Sequence, residues 1–124
     1  MQPPHVRVKT ENMAEFDADE DKTGTWWMDI PTHDNDGVSL QEEANWVVQD
    51  VESVAGGTHL NAPHQGTWID RDTGRRYLDK GHKLEADVGP TQRAELDSRV
   101  PSYKEKLRQL AIRKGFTASE IEYI

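Results

Sequence analysis

Residues 39–57 carry the feature that most narrows what this chain can become. Leu40, Ala44, Val47, Val48, Val51 and Val54 recur at i, i+4, i+7, i+8, i+11 and i+14, which is one face of an α-helix. Ser39 and Glu42 have the spacing of a capping box at its start. Gly56-Gly57 is a stop signal at its end. Valine is a weak helix former because β-branching restricts its side chain, so this helix holds only if the stripe is buried. The chain has 124 residues, 34% of them hydrophobic and 31% charged, enough for one core and not two. The stripe must therefore face the rest of a single domain, residues 1–124.

Short strands are the available partner. Val6-Arg7-Val8-Lys9 alternates, and Thr25-Trp26-Trp27-Met28-Asp29-Ile30 gives a second strand stopped by Pro31. Between them residues 17–24 form an acidic loop, so that 1–24 reads as a strand and loop or as an extended arm. Residues 58–66 read as a loop. Residues 67–70 and 76–79 flank a β-hairpin turn in which Gly74 supplies the positive φ. Further on, Pro90 opens a helix over 91–99 that Pro101 ends. Ser102 and Glu105 box the start of the next helix, whose stripe is Tyr103, Leu107, Leu110 and Ala111, with Gly115 at its end. Thr117 and Glu120 mark a last short helix with Ile121 and Ile124 on one face. The expectation is an α+β fold: a small antiparallel sheet packed by the 39–55 helix, with a helical C-terminal third.

Composition removes several chemistries. There are no cysteines, which excludes disulfides, thiolate zinc and a cysteine nucleophile. No stretch approaches the roughly 20 apolar residues of a membrane span, and the first residues lack the basic and apolar regions of a secretory signal. The expected place is the cytoplasm, or a target cell reached by a signal-peptide-independent route, with no membrane partner. The net charge of −8 is uneven: residues 1–66 hold 13 Asp/Glu against three Lys/Arg, and residues 67–124 hold 10 against 12. The acidic half repels a phosphate backbone and the other half tolerates one.

Residues 77–87 (YLDKGHKLEAD) gather the ingredients of a metal-assisted phosphodiesterase. A neutral His82 would take a proton from water, Asp79 and Asp87 would offer oxygens to a hard cation, and Gly81 would turn the backbone sharply to present His82. Gly81-His82-Lys83 with an acid at Asp87 resembles the glycine-histidine…glutamate signature of toxin domains in the HNH/endonuclease VII superfamily. Lys114-Gly115-Phe116-Thr117-Ala118-Ser119-Glu120-Ile121 is similar to the segment that follows a helix in those domains. Over residues 73–124 the resemblance implies a treble-clef-like ββα core and a metal-dependent nuclease acting on nucleic acid. His82 would be the general base, Asp87 the acidic position, and the cofactor Mg²⁺, Mn²⁺ or Zn²⁺. The plain alternative puts His82 in an exposed turn and Asp87 on the surface.

Other motifs are weaker. Ala111, Gly115 and Ile121 have helix-turn-helix spacing, but Glu120 and Glu122 on the second helix oppose phosphate binding. Thr32-x-Asp34-x-Asp36-Gly37 with Glu43 follows part of a calcium-loop pattern and reads as an acidic turn. Trp27 and Trp68 suit core or core-edge packing, whereas Trp46 lies off the valine stripe. The rival to a nuclease is a non-catalytic protein-interaction module, such as a phage or mobile-element accessory protein. It would meet a protein partner through Asp17, Asp19, Asp21 and Trp46 and need no cofactor. The 68–79 hairpin is also similar to one in small uncharacterised actinobacterial and phage proteins, which implies no chemistry.

Overall fold

The structure, a computed structural model, describes residues 20–119. In chain order it has β1 (Gly24–Pro31), α1 (Gln41–Ala55), β2 (His59–Leu60), β3 (His64–Ile69), β4 (Arg76–Val88), α2 (Pro90–Lys106) and β5 (Lys114–Ala118). All pairings are antiparallel. The long β4 lies beside β1 along residues 81–88. On its other edge it takes β2 and then β3, and β5 closes the far side of β1. The strand expected at Val6-Arg7-Val8-Lys9 and the short helix carrying Ile121 and Ile124 lie outside the described residues.

The valine stripe does what its spacing requires. Leu40, Val47, Val51 and Val54 are fully buried, and Ala44 and Val48 pack against the same core. Alternate residues of β1 and β4 supply the opposing surface: Trp26, Met28 and Ile30 from one, Leu84, Ala86 and Val88 from the other. The start of α1 differs from the expected capping box. Ser39 Oγ accepts only a long 3.4 Å bond from Gln41 N, and the buried Leu40 holds the cap position instead.

Helix α2 runs unbroken through Pro101, where the sequence suggests two helices. Proline removes one rung of the hydrogen-bond ladder. Leu96, Tyr103 and Leu107 nevertheless share one buried face across it, and packing outweighs the lost rung. The N-terminus of α2 is closed from a distance: the Glu20 carboxylate accepts the Thr91 N–H at 2.8 Å, and Gln92 Oε1 accepts the Gly89 N–H at 3.0 Å. Lys22 Nζ joins this end to the end of α1, donating to Gln92 Oε1 and to the Ala55 carbonyl. A cation is favoured at a helix C-terminus.

Residues 114–118, expected to hold a glycine helix stop, form a strand. A Cβ on Gly115 would lie 2.5 Å from the Trp27 ring, so the glycine is the floor under an aromatic. That strand also removes the helix-turn-helix reading. The fold class nonetheless holds: α+β, with a small antiparallel sheet and two helices on one face.

The acidic turn at 32–37 is saturated by its own chain. Asp34 Oδ1 accepts the N–H groups of Asp36 and Val38, and Oδ2 accepts Arg108 Nε at 3.0 Å. The same guanidinium reaches Glu43 at 2.6 Å. The Val38 N–H, then Arg108 and the Asp36 N–H, hold the Asp34 carboxyl below its ordinary 3.8. Arg108 likewise holds Glu43 below its ordinary 4.5. A carboxyl lowered in the folded state stabilises above its unfolded pKa, and that stability disappears as pH falls toward the folded value. The melting temperature should therefore fall more steeply below about pH 4 in wild type than in Asp34→Asn. Parallel acid limbs in the two proteins would show that Asp34 contributes nothing.

Candidate functional site

His82 and Asp87 both lie on β4, but five positions apart, and successive strand residues point to opposite faces. His82 is on the side of Leu84, Ala86 and Val88 and is half-buried. Its Nδ1 donates to the Asn61 carbonyl at 2.9 Å. Asp87 is on the open side, where Oδ1 accepts Thr25 Oγ1 at 3.0 Å. At about 3.4 Å per residue the two are roughly 17 Å apart along the strand. Asp79 stands opposite Gly66 near the other end of β4. Gly81 makes no sharp turn: it is mid-strand opposite Pro31, where a Cβ would lie 2.3 Å from the Ile30 carbonyl oxygen. Among the described residues no three His, Asp or Glu side chains gather as metal ligands.

Of the expected partner contacts, Asp17 and Asp19 lie outside the described residues, and Asp21 is exposed. Trp46 is 43% exposed, with its ring edge-on to Tyr103 and the Lys106 ammonium 5.2 Å from its centroid.

Two features stand out that sequence reasoning did not assemble. The first is an arm. Beyond Pro31 there is no β1 beside β4, and β3 and residues 76–80 continue as a two-stranded ribbon. Its tip is well formed: Asp70 N donates to the Arg75 carbonyl, Gly74 N to the Asp70 carbonyl, and Gly74 has φ +73° as expected. On one side Trp68 and Tyr77 stack at 4.7 Å, with the Arg75 guanidinium 4.7 Å from the Tyr77 ring. Trp68 thus packs on the arm and not in the core. On the other side are Ile69 and Leu78, 64% and 56% exposed. By alternation, Leu78 is on the face of β4 that buries Leu84 further along, but no helix covers it there.

The second feature is a hollow of about 420 Å³ at the root of the arm. Asp29, His64, Gly66, Trp68, Gly81 and Arg113 are among its walls. Asp29 Oδ1 is buried and accepts no hydrogen bond, with His64 Nε2 3.5 Å away. The register sets Asp29 opposite Lys83. Yet the Lys83 ammonium sits 4.7 Å from the Trp27 ring centroid, and Arg113 sits 5.5 Å from it. Asp29 shares the polar face of β1 with Trp27, which the alternation of residues 25–31 makes visible. Nothing in the sequence links it to a histidine 35 positions on.

The order β1-α1-(β2, β3)-β4-α2-β5, with both helices on one face, is the split βαβ arrangement of ferredoxin-like domains. Solved structures share it. A phage SAM lyase in complex with S-methyl-5'-thioadenosine matches with a TM-score of 0.61 and 8% identity, over 82% of this chain and 85% of that one. A mutant of CutA1 from Pyrococcus horikoshii OT3 matches with a TM-score of 0.58 and 16% identity, over 81% and 86%. These likenesses concern the fold. No family model and no curated protein sequence matches the chain. The nuclease-toxin expectation is thereby corrected. The chain folds like these two proteins, and His82, expected at a metal-bearing turn, lies within β4 at the centre of the sheet, opposite Ile30. Among the described residues no helix is long and apolar enough to cross a membrane.

Proposed function

We propose that this chain is a non-catalytic protein-interaction module that works through its β3–β4 arm, and that the arm's partner is a second copy of the chain. The observation that carries this reading is the arm's unburied apolar side. An isolated two-stranded ribbon is marginally stable in water, and Ile69 and Leu78 each leave more than half of their surface exposed. Long, bare strand edges invite pairing. Among the described residues, 76–79 have no strand on their β1 side, and β5 has none on its outer side.

Charge favours self-association. Residues 70–80 hold four Lys/Arg and three Asp, a net of +1, in a chain of net −8, leaving −9 for the remainder. A weakly basic arm on an acidic body complements the body of another copy. Trp46 offers a further contact, since an exposed tryptophan suits the centre of an interface.

The expected result in analytical ultracentrifugation is a concentration-dependent oligomer that Leu78→Asp converts to monomer. That variant should keep its far-UV circular dichroism, because Leu78 is already exposed. A wild type that stays monomeric at high concentration, or a Leu78→Asp protein that assembles equally well, would refute the proposal.

A further inference from the structure

The geometry at the arm's root points to a guanidinium-binding site, and we propose that the hollow takes this group from a free small molecule or from an arginine side chain. The inference stands on Asp29 and is independent of what covers Ile69 and Leu78. A carboxylate with a buried oxygen that accepts no hydrogen bond is costly. Its nearest cationic partner is His64, with Nε2 at 3.5 Å and no hydrogen bond to Oδ1, while Lys83 and Arg113 are drawn to the Trp27 ring instead. Lys80 also borders the hollow, but alternation sends its side chain to the other face of β4. The unmet demand is for a cation that donates hydrogen bonds.

The walls choose among cations. Gly66 and Gly81 carry no side chain and so leave a slot in the walls of the hollow. Trp68, stacked on Tyr77, gives one wall a rigid aromatic ring. A planar guanidinium can lie against such a ring while its edge donates to a carboxylate. An ammonium is compact and strongly hydrated and gains little from a slot. Anions are opposed by Asp29. Gly66 borders the hollow, and a Cβ added there meets nothing within 4 Å, so a larger side chain has room at this wall.

The test is calorimetric titration of the full chain with methylguanidinium, with L-argininamide and with butylammonium, repeated on Asp29→Asn and Gly66→Val. Saturable binding of the two guanidinium compounds and not of butylammonium is expected. Asp29→Asn should weaken it about tenfold, the worth of one charge-assisted hydrogen bond. Gly66→Val fills the slot, leaves Asp29 in place and should abolish it. If free compounds do not bind but Asp29→Asn, Gly66→Val and Arg71→Gln, the last at an exposed position in the turn of the arm, each weaken self-association, the group is an arginine of a second copy and the site stands. Butylammonium binding as well as the guanidinium compounds, or no effect of the variants on either readout, overturns it. Leu78→Asp separates the two proposals, since it should abolish assembly and leave binding of the free compounds intact.

Discussion

Val51→Asp should remove a large part of the protein's folding stability. Val51 is fully buried in the middle of the α1 stripe, between Val47 and Val54, in the cluster that also holds Leu84 and Met28. Removing the side chain alone, as in Val51→Ala, costs about 1.5–3 kcal/mol of lost burial. A carboxylate adds desolvation that no partner offsets, because the cluster around Val51 is hydrophobic. The sum should be at least about 4 kcal/mol, a large part of the 5–15 kcal/mol of a typical domain. Gln49→Asp, on the exposed side of the same helix, should change stability by less than about 0.5 kcal/mol. Urea unfolding of the three variants measures the series, and a Val51→Asp midpoint equal to that of Gln49→Asp would refute the packing described.

The second large effect belongs to a polar group at the edge of the helix layer. Tyr103 donates its hydroxyl to Asp50 Oδ2 at 2.6 Å, and Arg99 Nη1 lies 3.2 Å from both oxygens of that carboxylate. Arg99 Nε donates to Glu95 at 2.6 Å. Burial first, then the hydrogen bond to Asp50 and its negative charge, push the Tyr103 hydroxyl well above the ordinary tyrosine range. It therefore acts as a donor at any physiological pH. Asp50→Ala removes the acceptor for two donors at once and should cost about 2–3 kcal/mol. A fully buried pair would cost more, but Asp50 and Arg99 are each about a quarter exposed. Tyr103→Phe removes only one donor. In the double variant the two losses should overlap by about 1–2 kcal/mol. Strict additivity would show that the hydroxyl and carboxylate do not interact.

These two cases mark what the sequence made legible. The valine stripe announces a helix because its signal is local: six apolar residues within fifteen positions. Gly74 announces its turn for the same reason. Asp50 sits one residue from Val51 and looks like an ordinary solvated acid, because its partners are 49 and 53 positions away. Gly81-His82 misleads in the same manner. A glycine before a histidine reads as a turn when only neighbours are considered, yet this glycine is there because a neighbouring strand passes too close for a Cβ. Gly115 is set by Trp27 across the sheet. Pro101 looks like a boundary until the buried face on both sides of it is known to be continuous. The α+β class and the 39–55 helix were readable. The arm was read only as a hairpin: Pro31 marks where β1 stops, but nothing local says that β4 runs on past it and leaves residues 76–79 without a strand on that side.

The pairing of β1 with β5 has a consequence for how quickly the sheet can be completed. Gly24 and Ala118 are direct partners, as are Met28 and Lys114, so the last seam joins segments about ninety positions apart. Hairpins between β3 and β4 close short loops and can form early. The β1–β5 seam must wait for an encounter whose entropic cost is met before any of its contacts form. Chains dominated by such distant pairings fold in milliseconds to seconds rather than microseconds. Trp26 and Trp27 both lie on this seam, opposite Phe116 and Gly115, so the chain's own fluorescence should record its slowest step.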